Sequence, residues 1–311
     1  MWQRLLVLLL LLGITAACNL PLSLAVTPTG EETLAASSSP LPQATSTPVL
    51  LSSSVLENML YTLPGFVDRE PFSFQLKDGE FQSGEDPAAI DFINVRLGDV
   101  IAFGDLNGDD LPDAAVILAA NYGGTGVFVW VVPVLNQNGK AEQAAAFLID
   151  DRPMIEQLSI ENSRILLEGL VHGPNDPGCC PNQPVRWALR LMPAGLNLVS
   201  ASTRIGDLWR EINLELPVED SRVGERVEVR GGVPVMPFEA TLNYRVYSEN
   251  GVEYQNSYIM VDAPDYGYPG TFQKEIDLSE VPPGVIYLEV SEISMADGSV
   301  VALTSVRLIR E

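Results

Sequence analysis

The last third of the chain repeats one pattern that limits its fold more than any other feature. Between residues 211 and 309, short runs of strand-forming residues alternate with turn signals such as Asn250-Gly251. Within these runs apolar residues recur at every second position, so that Leu242 and Tyr244 share one face. A period of two predicts half-buried antiparallel strands rather than helices.

Seven such runs are present, and their number and length are typical of an immunoglobulin-like β-sandwich. They are 211–217, 225–233, 239–248, 252–261, 270–278, 284–293 and 299–309. No cysteine lies in this region, so the core must hold without a disulfide between the sheets. We therefore predict a sandwich domain at residues 211–311, preceded by a short connector at 204–210.

Residues 54–203 predict a second β-rich unit with one short helix. The segment LENMLYTL (56–63) carries its large apolar residues at helical spacing. Strand-like runs follow it, with turn signals at Asp78-Gly79 and at 161–163 that predict two hairpins. The fold class expected for the chain is therefore mainly all-β.

The N-terminus predicts export and a lipid anchor. Arg4 precedes an apolar run that is too short to span a bilayer comfortably, and small residues then lead into Cys18. Residues 1–17 resemble a bacterial lipoprotein signal peptide, which implies that Cys18 is lipidated and becomes the mature N-terminus. An ordinary secretory signal with a chance cysteine is the alternative. Both interpretations predict that the folded part lies outside the cytoplasm. If Cys18 is lipidated, the protein is held at the cell membrane.

Residues 18–53 predict a disordered tether after the lipidated cysteine. The segment is rich in Ser, Thr, Pro and Ala and carries hardly any charge. A flexible chain of this length reaches on the order of 30 Å. Such a reach would lift the folded part clear of the membrane surface.

The charge balance excludes one class of partner. Acidic residues number 41 and basic residues 18, for a formal net charge of −23. Nucleic acids select basic surfaces, so we expect no nucleic-acid partner. The same charge argues against direct electrostatic docking on anionic lipid.

An acidic loop between two apolar runs is the clearest candidate for a ligand site. Asp105, Asn107, Asp109 and Asp113 place side-chain oxygens at loop positions 1, 3, 5 and 9. Oxygen-only donors favour calcium over zinc or copper. The alternative is an exposed Asn/Asp turn that holds no ion.

This loop resembles the calcium loop of FG-GAP-type repeats. The resemblance implies that Leu111 adds its backbone carbonyl to the four side-chain ligands and that the calcium is structural. The sequence departs from that pattern at Asp110, where the family usually has glycine. Because Asp tolerates positive φ better than most residues, we expect the loop to close all the same.

A second candidate is HGPNDPGCCP (172–181), which contains the chain's one histidine. Cys179 and Cys180 are adjacent and can form a vicinal disulfide or remain as two thiols; export favours oxidation. A thiolate metal site with His172 and Asp176 is a weaker alternative, because adjacent ligands suit one tetrahedral ion poorly. Asp150-Asp151, beside Arg152, predicts an exposed turn.

Two resemblances extend this interpretation. The pattern VEVRGGVPVMPFEATLNYRVYSENG, with PGTFQKEIDL and ADGSVVALTSVRL, resembles the immunoglobulin-like domain of bacterial spore germination. That resemblance implies an extracytoplasmic sandwich appended to other modules. The stretches FGDLNGDDLPDAAV, GGTGVF and HGPNDPGCCP are similar to uncharacterised bacterial envelope lipoproteins, which implies no particular activity.

These features predict a non-catalytic, membrane-anchored envelope lipoprotein that acts as a binding or scaffolding module. Its expected partners are cell-wall glycan or another envelope protein. One alternative is a secreted hydrolase that acts on wall polymer with a pair of carboxylates, and another is a purely structural spacer. Carboxylates that converge from distant strands in one cleft would favour the hydrolase.

Overall fold

The computed structural model describes residues 50–65 and 70–311 of the chain. The predicted signal peptide, Cys18 and the tether up to residue 49 lie outside the described residues. Within them the protein is all-β with one short helix, which confirms the predicted fold class. None of the described residues forms a helix long and apolar enough to cross a membrane.

We call the described residues up to 210 the first half of the protein and residues 211–311 the second half. The first half contains the one short helix and thirteen strands. They are α1 (Ser53–Leu56), β1 (Leu60–Leu63), β2 (Phe72–Gln75), β3 (Glu80–Ser83), β4 (Ile93–Gly104), β5 (Asp113–Asn121), β6 (Phe128–Gln137), β7 (Lys140–Gln143), β8 (Phe147–Asp151), β9 (Met154–Glu161), β10 (Arg164–Val171), β11 (Gln183–Met192), β12 (Gly195–Ile205) and β13 (Leu208–Arg210).

The second half contains eight strands and one turn of 3₁₀ helix (Phe238–Ala240). The strands are β14 (Asn213–Leu216), β15 (Ser221–Val223), β16 (Arg226–Val233), β17 (Thr241–Ser248), β18 (Glu253–Asp262), β19 (Gly270–Asp277), β20 (Gly284–Ile293) and β21 (Val300–Arg310). All seven predicted strands are present, and β15 is additional.

The first half is layered around strand β5. A sheet ordered β3-β4-β5-β6-β7, with β8 beside β6, packs on α1, β1 and β2 through one apolar core and on β9 to β12 through another. Val116 and Leu118 face the first core, and Ala115 and Ile117 face the second. Because β5 is buried on both faces, its sequence is a continuous apolar run rather than an alternating one.

The second half is a β-sandwich, and its apolar core lies between the two layers of strands. The inward residues of β17 and β20, which include Leu242, Val246, Leu288 and Val290, are buried in it. Strand β18 pairs with β17 over most of its length and with β19 at Val261 and Asp262, so it turns the sheet from one layer into the other. The shared inner faces predicted for these residues are confirmed, but β20 is buried on both faces, because Tyr287 and Glu289 are buried as well.

Strand pairing joins the two halves. Residues 200–202 of β12 pair antiparallel with 302–304 of β21, which makes one thirteen-stranded sheet. A small apolar cluster covers this junction, with Tyr247 and Tyr287 stacked at 5.5 Å between ring centroids. Glu219 of the second half also forms ion pairs with Arg190 at 2.6 Å and Arg164 at 3.3 Å.

The structure corrects the start of the first half. The predicted helix at 56–63 is wrong, because the helix covers 53–56 and residues 60–63 form β1. In the described end of the tether, 50–53, Leu51 is only 5% exposed and the Ser52 hydroxyl caps α1. The fold therefore begins a few residues before position 54.

Two other predictions need correction. The Asp78-Gly79 turn is present and one antiparallel bridge, Lys77 with Glu80, closes it, but β2 pairs with β1 and β3 pairs with β4, so the hairpin extends no further. Residues 204–210, predicted as a connector, belong to the paired strands β12 and β13. The hairpin of β9 and β10 is confirmed, with Asn162 and Ser163 at positive φ.

Candidate functional site

The acidic loop connects β4 to β5 and is closed by a buried carboxylate. Asp113, the first residue of β5, is 0% exposed. Its Oδ2 accepts a hydrogen bond from the backbone N–H of Leu106 at 2.8 Å, and its Oδ1 accepts one from the N–H of Asn136 at 2.8 Å. Asp113 therefore ties the loop to the central sheet, whether or not an ion is present.

At the other end of the loop, Asp105 organises the turn. Its Oδ1 accepts from the backbone N–H groups of Asn107 at 3.1 Å and Gly108 at 2.6 Å, and its Oδ2 accepts from that of Asp110 at 3.0 Å. Asp110 has φ of +63°, so the non-glycine residue adopts the left-handed conformation that was expected. The loop closes without the glycine of the FG-GAP pattern.

The environments of these two carboxyl groups shift their pKa values in opposite directions. Burial works to raise the pKa of Asp105, but the backbone N–H donors of Gly108, Asp110 and Asn107 outweigh it and leave that pKa below its usual value. Burial raises the pKa of Asp113, and repulsion from Asp109 and Asp105 adds to this effect. Among the described residues, no cationic side chain forms an ion pair with Asp113.

The donor chemistry of the loop suits calcium, but the side chains are engaged with one another. Asp109 accepts from the N–H of Leu111 at 2.8 Å and from the side-chain amide of Asn107 at 3.0 Å. Among the described residues, no three His, Cys, Asp or Glu side chains are grouped so as to hold a metal ion. Oδ1 of Asp105 already accepts two hydrogen bonds, but the other carboxylate oxygens of Asp105, Asp109 and Asp113 accept one each and keep a second lone pair for ligation. Calcium at Asp105, Asn107, Asp109, Leu111 and Asp113 stays a prediction.

A second acidic region surrounds the single histidine. Oδ2 of Asp150, on β8, accepts a hydrogen bond from the backbone N–H of His172 at 2.5 Å and lies 2.9 Å from its Nδ1. Asp151 is paired with Arg152 at 2.6 Å. We call Asp150, Asp151, Arg152, His172 and Asp176 the His172 cluster.

The loop after His172 is held by charged side chains of this cluster. Oδ2 of Asp176 accepts from the backbone N–H groups of Gly173 and Asn182, both at 2.8 Å, and Arg152 donates to the carbonyl of Gly178 at 2.6 Å. The sulfur atoms of Cys179 and Cys180 lie at bonding distance at the exposed tip. Their oxidation in the mature protein stays a prediction.

The pKa values of two carboxyl groups in the cluster are lowered. Burial works to raise the pKa of Asp151, but hydrogen bonds from Arg152 and from the N–H of Val127 lower it further than burial raises it. For Asp176, the N–H donors of Gly173 and Asn182 lower the pKa, and His172 adds to the effect. Both groups therefore remain ionised at neutral pH.

A cavity of about 380 Å³ adjoins the cluster. Its apolar lining comes from both halves of the chain, with Trp187 and Leu198 from the first half and Val300 and Val301 from the second. His172 and Asp150 lie on its wall. The cavity therefore exists only where β8, β10, β11 and β12 meet the start of β21.

Sequence reasoning missed this arrangement. Asp150-Asp151 was predicted to form an exposed turn, whereas both residues are half-buried at the end of β8. His172 and Asp150 are 22 positions apart in sequence, so no local spacing reports their contact. Only a correct pairing of β8 with β6, and of β10 with its neighbours, would have brought them together.

Comparison with known proteins identifies the second half alone. Residues 211–299 match the family model of the immunoglobulin-like domain of bacterial spore germination. This match confirms the resemblance inferred for the C-terminal domain and agrees with the sandwich in the structure. No curated protein matches the chain.

Proposed function

We propose that this protein is an envelope lipoprotein that is anchored through Cys18 and acts outside the cell as a binding or scaffolding module. The observation that carries the binding role is an exposed apolar surface on the immunoglobulin-like half. Phe238, Tyr258 and Met260, which we call the β18 surface, are 57%, 56% and 57% exposed. Aromatic and Met side chains are enriched at protein interfaces, and a patch of them exposed to water indicates an interaction site.

The β18 surface is also partly ordered in advance. Tyr258 and Met260 point outward from β18, while Ile259 and Val261 between and beyond them are buried. Nζ of Lys274 donates to the carbonyl of Tyr258 at 2.7 Å and lies 5.3 Å from the centre of its ring. A side chain that is already held in place loses less conformational entropy on binding.

This role is tested by capture of cell-wall glycan and of envelope extract on the purified protein. We expect the double variant Tyr258→Ala, Met260→Ala to retain at most a tenth of the bound material, because two interface anchors contribute about 1 kcal/mol or more each. Val252→Ala is the matched control, since Val252 is also 56% exposed but lies in the preceding turn. Equal capture by the double variant and the control would contradict the proposal.

The anchor is tested separately by mass spectrometry of the mature protein. We expect residues 1–17 to be removed and acyl chains to be attached to Cys18, and we expect Cys18→Ser to release the protein from the membrane fraction. A mature protein with its leader intact, or a soluble and unmodified product, would contradict the anchor. Binding by the β18 surface could be measured in either case.

Hydrolysis is the second candidate function, and one observation favours it. Asp150 contacts His172 on the wall of a cavity, and Asp151 and Asp176 are near enough to interact with His172 electrostatically. A glycosidase acid needs a raised pKa, however, and the pKa values of Asp151 and Asp176 are lowered. Release of reducing ends from cell-wall glycan, lost in Asp150→Asn, would establish hydrolysis.

A further inference from the structure

The cavity beside the His172 cluster has the composition of a small-molecule site. Its volume of about 380 Å³ lies in the range of about 300–1,000 Å³ that such sites occupy. The walls are mainly apolar, and a few polar groups converge on them. These polar residues are Asp150, His172, Gln183, Thr203, Ser294 and Ser299.

The imidazole of His172 is incompletely paired. Asp150 holds the Nδ1 side of the ring, but Nε2 is buried from solvent and has no hydrogen-bond partner among the described residues. A buried polar atom without a partner destabilises a fold, so its occurrence beside a cavity calls for an explanation. Because His172 lines the cavity while its Nε2 is buried, a partner that comes from the cavity would have to displace neighbouring atoms to reach Nε2.

The charges around the ring restrict the partner. Asp150 contacts the ring of His172, and Asp151 and Asp176 are near enough to interact with it electrostatically. Arg152 pairs with Asp151, so acidic side chains outnumber basic ones in the cluster. Anions are repelled from such a site, and a fully hydrated cation would gain nothing from the apolar walls. A hydroxyl group can donate to a neutral Nε2 or accept from a protonated one, so it suits either state of the imidazole.

We propose that this cavity binds an uncharged, largely apolar small molecule whose hydroxyl group pairs with Nε2 of His172. Asp150 acts as a positioning residue because it fixes the orientation of the ring. The ligand is enclosed by both halves of the chain, since Val300 and Val301 supply one wall. The site is independent of the β18 surface and of the lipid anchor.

The single histidine of the chain allows a direct test. Full-length protein labelled with ¹⁵N-histidine gives ring signals from His172 alone. Three probes of matched size, 2-naphthol, 2-methylnaphthalene and 2-naphthoate, are titrated while the Nε2 signal is followed. We expect 2-naphthol to shift this signal saturably and to bind about tenfold more tightly than 2-methylnaphthalene, because one buried hydrogen bond contributes about 1.4 kcal/mol.

Two variants separate the hydrogen bond from the cavity. His172→Phe keeps an aromatic ring but removes Nε2, and intrinsic tryptophan fluorescence should show that it binds both neutral probes with equal affinity. Val300→Trp adds a large side chain to the cavity wall and should bind neither probe, whereas Val252→Trp, at an exposed position outside the cavity lining, should bind both normally.

The proposal is overturned if 2-naphthol leaves the Nε2 signal unchanged, or if it binds no better than 2-methylnaphthalene. Tighter binding of the anion 2-naphthoate would overturn the assigned ligand class. Should His172→Phe fail to fold, the comparison of the three probes on the unaltered protein still decides.

Discussion

The acidic loop at 105–113 and the His172 cluster use carboxylates in different ways. In the loop, the carboxylate oxygens of Asp105 and Asp113 accept hydrogen bonds from backbone N–H groups, most of which belong to the loop itself. In the cluster, Asp150 reaches His172 from a strand 22 positions away and lies 2.9 Å from its Nδ1. The comparison teaches that a carboxylate within a local motif organises the backbone around it, whereas a carboxylate from a distant strand can orient a side chain beside a cavity.

The largest expected effect on stability comes from removing the loop's buried carboxylate. Asp113→Ala leaves the N–H groups of Leu106 and Asn136 without their acceptor, and we expect a loss of about 3 kcal/mol in the free energy of unfolding, measured with urea. Asp109→Ala, in the exposed part of the loop, is the control and should cost about 1 kcal/mol or less without calcium. Equal losses would mean that burial does not distinguish the two residues.

Calcium should act on the loop and not on the cluster. At a hundred times its dissociation constant the ion would add about 2.7 kcal/mol and raise Tm by several degrees, and a chelator would reverse this. Because the pKa of Asp113 is raised, its protonated form favours folding below the unfolded pKa, and that contribution is lost as pH rises through the folded pKa. Calcium needs the ionised form, so its affinity should fall as pH drops through the raised value. An unchanged Tm would refute the calcium site.

An intermediate effect is expected in the His172 cluster. Asp150→Ala leaves the backbone N–H and the Nδ1 side of His172 unpaired, and we expect a loss of about 2 kcal/mol, together with a change in the ¹⁵N signals of the ring. Asp150→Asn keeps an oxygen acceptor for both groups and should cost less. Unchanged ring signals in Asp150→Ala would show that this carboxylate does not position the imidazole.

The cluster and Asp113 of the loop should also differ in acid. The lowered pKa values of Asp151 and Asp176 stabilise the fold above their unfolded pKa, and that stability is lost as pH falls through the folded values. Asp176→Asn should therefore flatten the loss of stability on the acid side, as measured by urea unfolding across pH. Asp113→Asn should not flatten it, because the shift of Asp113 has the opposite sign.

The smallest effect is expected at Cys179 and Cys180. A disulfide between adjacent residues closes no loop of the unfolded chain, so Cys179→Ser with Cys180→Ser should change stability by only about 0.5 kcal/mol or less. Counting free thiols in the unreduced mature protein tests the bond itself. Two reactive thiols would refute the vicinal disulfide.

The sequence predicts what is periodic or local, and misses what depends on pairing between distant strands. Alternation at Leu242, Tyr244 and Val246 predicted the sandwich strands, and the residue preference for positive φ predicted the turn at Asp110. Strand β12 and its pairing with β21 were missed, because a register between distant segments leaves no local pattern. The same lack of local signal hid the contact of Asp150 with His172.

The pairing of β12 with β21 has a consequence for how the polypeptide matures. Strand β21 is the last strand of this sequence, and it lies between β20 and β12 in the sheet. As the chain emerges from a ribosome or a translocation channel, the edge of β12 that pairs with β21 stays open until β21 has been made. Unpaired strand edges promote association between molecules. Stalled or shortened products should therefore aggregate through the first half, even though every residue of that half has already been made.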